Sequence, residues 1–185
     1  MKNNKGSGFE RTVCKLLSLW WSKGETDAIF WRTAGSGARA TTRAKQGKKT
    51  YGSYGDIKAE DPIGEDLLKV FTFELKRGYN KFNNMDLLEK NLRKSSKQLY
   101  DKFIKSVIID AQESGSLSWM LVVKKDRRDI LAFFPFIIAK QLKIKCKEYI
   151  IQKILFKDDS TLKIYGCKLD EFCSAVSIED IRKLL

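Results

Sequence analysis

The stretch Lys69-Val-Phe-Thr-Phe-Glu-Leu-Lys76 decides the reading of this chain. Its aromatic and branched residues alternate with polar ones, the pattern of a β-strand, and Arg77-Gly78 closes it. Glu74 and Lys76 stand two positions apart, so both side chains leave the same face of the sheet. A carboxylate and an ammonium at the end of an otherwise apolar strand are the first candidates for chemistry. The alternative reading is a cross-strand charge pair on a solvated face.

Working outward, Gly55-Asp56 opens a second, short strand over 56–59, eighteen positions before Glu74. Asp56 reads either as a turn residue after Gly55 or as a second carboxylate near Glu74, if the two strands pair. Upstream, Ser7-Gly8-Phe9-Glu10 fits a capping box, with Ser7 as N-cap of a helix running to about Ser22. Glu10 shares a helical face with Val13 and Leu17, which turns its carboxylate toward the core or a cleft edge. Two carboxylates about 4 Å apart repel by roughly 4 kcal/mol at an effective dielectric near 20. A divalent cation between them reverses that sign. Asp56 and Glu74 therefore predict a site for Mg2+, with Mn2+ able to substitute, and Lys76 beside it to orient water or offset phosphate charge.

Composition narrows the chemistry further. The 185 residues include 36 Lys plus Arg, 23 Asp plus Glu and no histidine, for a formal charge of +13. Without imidazole there is no Ser-His-Asp or Cys-His nucleophile and no His-bound zinc. Cys14, Cys146, Cys167 and Cys173 have no C-x-x-C spacing and read as reduced core thiols. The positive charge points to a polyanion, nucleic acid first. Arg32, Arg39, Arg43, Lys45, Lys48 and Lys49 fall in an acid-free, Gly- and Ser-rich segment that predicts a phosphate-contacting loop. Tyr51 and Tyr54 adjoin it. No apolar run reaches the roughly 20 residues of a membrane span, and no secretory signal pattern opens the chain, so the expectation is a cytoplasmic protein.

The remaining elements are a strand over 28–32, a turn at Asp61-Pro-Ile-Gly64, a long helical region from Asn84 to about Gln112, and strands over 118–124 and 130–136. The segment 118–124 is almost continuously apolar, as a strand buried on both faces would be. After Gln141 come a hairpin, with arms 149–156 and 161–165, and a short helix over 177–185. The expected organisation is a core over 1–140 and a small α+β C-terminal extension over 141–185, packed on the same domain.

Gly55-Asp56 followed by Glu74-Leu75-Lys76 resembles the PD-(D/E)-x-K nuclease motif, with Gly55 where the motif has proline. Lys5-Gly-Ser-Gly-Phe-Glu-Arg11 and Arg32-Thr-Ala-Gly-Ser-Gly37 look like the opening of archaeal-type Holliday junction resolvases, and Leu121-Val-Val-Lys-Lys125 and Phe133-Phe-Pro-Phe136 look like that family's later strands. The resemblance implies an α/β fold with a restriction-endonuclease-like core, a mixed central sheet flanked by helices. It also implies a homodimer acting on four-way DNA junctions. By it Glu10 joins the metal site, Ser36 sits near the scissile phosphate, and the Leu75 carbonyl is a further metal ligand. Gln98, on the helix after the motif strand, approaches the site. The alternatives are a nuclease of the same fold cutting duplex or other DNA, and a non-catalytic nucleic-acid-binding protein.

Overall fold

Six consecutive buried residues, Ser118 to Val123, make β4 (Ser118–Lys124) an interior strand covered on both faces. The computed structural model describes residues 5–33, 54–79, 99–155 and 161–185. In chain order these form α1 (Lys5–Trp21), β1 (Phe30–Arg32), β2 (Ile57–Ala59), a 3-10 turn (Pro62–Gly64), α2 (Glu65–Val70), β3 (Phe71–Arg77), α3 (Leu99–Ser114), β4, β5 (Ile130–Pro135), α4 (Phe136–Gln141), β6 (Tyr149–Leu155), β7 (Thr161–Lys168), α5 (Leu169–Ala175) and α6 (Ile178–Arg182).

The main sheet runs β3-β4-β5-β7-β6, with β3 parallel to β4 and the other pairs antiparallel. It is the expected mixed sheet flanked by helices. Residues 149–168 supply two of its strands, and β7 pairs directly with β5. β1 and β2 form a separate antiparallel ribbon.

Each face of the sheet has its own core. Phe71, Phe73 and Leu75 of β3, with Met120 and Val122 of β4, pack against Phe9, Val13 and Leu17 of α1 and Phe172 of α5. The alternate residues Trp119, Leu121 and Val123 meet Tyr100, Ile104, Val107 and Ala111 of α3. Pleating therefore sends Thr72, Glu74 and Lys76 to the α3 side. All four cysteines are free thiols, three of them buried. No helix among the described residues is long and apolar enough to cross a membrane.

Two local readings, the start of the first helix and the start of β3, differ from the structure, whereas the turn at 61–64 is found as expected. Helix α1 already begins at Lys5, so Ser7 lies inside its first turn and is not the N-cap. Lys69 and Val70 end a short helix instead of opening β3, because Leu67 and Val70 bury one helical face against the core. Asp61 caps the 3-10 turn by accepting the Ile63 N–H at 3.0 Å. The expected helix from Asn84 is described only from Leu99 onward.

Candidate active site

Strand β3 lies at an edge of the sheet, and its outward backbone groups hold Asp56. The Asp56 N–H donates to the Phe73 carbonyl at 2.8 Å, and the Leu75 N–H donates to Asp56 Oδ2 at 2.8 Å. Asp56 thus reaches β3 by a two-point clip just before β2, which itself pairs with β1 and not with β3. Gly55 makes the clip possible. It takes φ +69°, and a Cβ there would stand 2.6 Å from the Phe73 carbonyl oxygen.

Asp56 and Glu74 are each 8% exposed. Glu74 pairs with Lys76 on the same strand face, and the Lys76 ammonium lies 5.3 Å from the centroid of the Phe103 ring on α3. Burial, then repulsion from Asp56, pushes the Glu74 carboxyl up to about 7 despite the Lys76 charge. Burial works against the Lys76 ammonium, yet Glu74 and then Asp56 hold its pKa above the usual lysine value. This is a crowded negative site with one ammonium inside it.

Asp110 joins this field. Burial, Glu113 and Asp56 raise its pKa, and it acts in turn on Glu74. Nothing in the sequence reading singled it out. The available signal was helical spacing, because Phe103, Val107, Asp110 and Ser114 fall on one stripe of α3, and that stripe faces β3.

Glu10 comes to the site from the opposite layer. Its Oε2 accepts from Arg32 Nη1 at 3.0 Å, a partly buried ion pair. Cys14 feels both acids: burial, then the charges of Glu10 and Asp56, push its thiol up to about 12. Among the described residues, no three Asp, Glu or Cys side chains stand close enough to share a cation. The structure brings Asp56, Glu74, Leu75 and Lys76 together, whereas Glu10 is held by Arg32 and forms no three-carboxylate cluster with Asp56 and Glu74 among the described residues. Ser36, Gln98, Arg39, Arg43, Lys45, Lys48 and Lys49 lie outside the described residues.

The donor set fits a hard divalent ion. Asp56 is fixed at the edge through one oxygen, and Glu74 is destabilised as an anion by its neighbour. In an extended strand the Leu75 carbonyl leaves on the same side as its N–H, toward Asp56. Two carboxylates and one carbonyl oxygen suit Mg2+, which usually completes its shell with water and substrate phosphate.

A family model described as "Phage putative PDDEXK endonuclease" matches residues 1–183. No curated protein matches the chain. A solved structure, that of Archaeoglobus fulgidus Hjc, a Holliday junction resolvase from an archaeal hyperthermophile, is similar at 15% identity; the match covers 96% of this chain and 98% of that one, with a TM-score of 0.35.

Proposed function

Because the chain belongs to the phage PDDEXK endonuclease family, we propose that it is a Mg2+-dependent endodeoxyribonuclease whose preferred substrate is branched DNA, the four-way junction above all. The observation that carries the catalytic part is the Leu75 N–H bond to Asp56, which brings a carboxylate from eighteen residues upstream to the edge occupied by Glu74 and Lys76. Asp56, Glu74 and the Leu75 carbonyl would hold the ion, with Glu10 as the outer acid. When bound, it supplies Lewis-acid polarisation of a phosphoryl oxygen and a more acidic water.

The chain's own groups do the rest. Lys76, anchored by Glu74 and the Phe103 ring, orients a water for attack and offsets charge developing on the phosphate. Arg32, now paired with Glu10, is placed to take a backbone phosphate of the incoming strand. Ser36 is proposed near the scissile phosphate, and the cations from Arg39 to Lys49 as backbone contacts that add affinity without reading sequence. Gln98 is proposed to approach the same site from its helix.

The junction preference, and a homodimer to place two sites across it, rest on the resemblance of the Gly-Ser-Gly segments around Glu10 and Ser36. Cleavage of a mobile four-way junction, linear duplex and single strand in Mg2+, compared side by side, tests the substrate. Junction-selective nicking is expected. Equal cutting of linear duplex would replace the junction reading with that of a duplex nuclease.

A further inference from the structure

On the α3 side of the same strand, one pleat before Glu74, a pocket of approximately 330 Å³ opens between the β1–β2 ribbon, α2 and the end of α3. That volume is in the ~300–1,000 Å³ range of small-molecule sites and is too large for a lone phosphate. Its chemistry is sorted by position. Leu68 and the Tyr54 ring give it a partly exposed apolar wall, behind which Ile57 and Phe71 are buried in the core. Lys58 and Lys69 stand at an exposed rim, each in a solvent-facing pair with Glu60 or Asp66 that a phosphate could replace. Glu65 is an acid at the same mouth.

The third part of the lining is a hydroxyl cluster. Thr72 Oγ1 lies 2.8 Å from both Ser114 Oγ and Ser116 Oγ. Ser114 also donates to the Ala111 carbonyl and Ser116 to the Ser118 carbonyl, both at 3.0 Å. Three hydroxyl protons are thus consumed by the cluster's own contacts, and what it can still offer a ligand is acceptor capacity. A phosphate needs donors, whereas the amino or imino edge of a nucleobase needs acceptors. Thr33 supplies a second, independent sign of a missing partner. It lines the pocket at 4% exposure, and its hydroxyl has no hydrogen-bond partner among the described residues.

We propose that this pocket holds one unpaired nucleotide of the DNA substrate beside the cleaved bond, with its base against Leu68 and Tyr54 and its phosphate under Lys58 and Lys69. The inference rests on the nuclease reading and names the feature that the enzyme selects. Thr72 and Glu74 are two residues apart on one strand, about 7 Å, so a single DNA strand reaches both the pocket and the carboxylates. A base that is already unpaired enters without the cost of unstacking, which makes the pocket a selector for branched or interrupted DNA.

The test measures binding without divalent ion, using a duplex with a single 2-aminopurine bulge and its fully paired counterpart. The wild-type chain is expected to bind the bulged DNA about tenfold tighter and to change its fluorescence. Ser114→Trp, which fills the pocket without changing charge, and Lys69→Glu on the exposed rim should each bring the ratio to about one, with Ser114→Trp leaving paired-duplex affinity within about threefold. A wild-type ratio near one, or a ratio that both variants leave intact, would overturn the proposal. Asp56→Asn tests the nuclease reading separately, since it should stop cleavage of both DNAs and leave the binding ratio unchanged.

Discussion

The two edges of the main sheet are treated in opposite ways. At β3 the outward backbone groups are occupied by Asp56, and Glu74 and Lys76 beyond Phe73 form a buried-to-partly-buried charge pair. At β6 the edge carries Tyr149, Ile150 and Ile151 at 56%, 37% and 43% exposure, and the ion pairs nearest to it, of Lys168 with Glu148 and Asp129, have exposed acids. Free strand edges are a hazard that proteins usually blunt with charge, bulges or cover. Here one edge is blunted by the residues that would do chemistry, and the other is left apolar. Stability has been given up at β3, where two acids are forced together, and nothing comparable has been given up at β6.

The largest effect should come from the β3 edge. Lys76→Ala is expected to lower Mg2+-dependent cleavage by roughly 10³-fold while leaving DNA affinity within about threefold. A variant that still cuts at near wild-type rate would remove Lys76 from the mechanism. Replacing Arg39, Arg43, Lys45, Lys48 and Lys49 should instead weaken binding and flatten its salt dependence by about 0.9 per lost phosphate contact. Replacing Lys147 and Lys153 around β6 should leave that slope unchanged. Equal slopes from the two sets would move the DNA interface.

Glu74 makes the cost at β3 measurable. Its pKa rises from an ordinary 4.5 to about 7 on folding. The native state therefore holds a proton that the unfolded chain releases between those values, so stability is full below about pH 4.5 and falls as pH rises toward 7. In metal-free buffer, Glu74→Gln should flatten this fall and be more stable than wild type above pH 7. Chemical denaturation across pH reads both effects, and a Glu74→Gln protein no more stable than wild type at pH 8 would contradict the crowded-carboxylate account. The smallest effect belongs to β6, where Ile151→Thr should change stability by no more than about 0.5 kcal/mol.

Much of this was legible in the chain. β4 was readable because a strand buried on both faces needs no alternation, and Glu74 and Lys76 because period two is unambiguous next to three buried phenylalanine and leucine positions. The α2 helix was hidden because Lys69-Val70 continues the apolar pattern of β3, and only tertiary packing of Leu67 and Val70 ends the helix there. The Asp56 clip depends on backbone groups of another segment, so sequence could suggest proximity but not the hydrogen bonds. Asp110 and the pocket around Thr72 were invisible for the same reason, since they exist only where α3 crosses β3. Glu10 was expected as an inward carboxylate and its side chain is largely buried, whereas its bond to Arg32 needed the β1 ribbon in place.

The most direct test of the central claim is cleavage of a labelled four-way junction by wild type and Asp56→Asn, in Mg2+ and in chelator. The account predicts cutting by wild type in Mg2+ alone, with Asp56→Asn bound to the junction but inert. Cutting by Asp56→Asn in Mg2+, or by wild type in chelator, would contradict it.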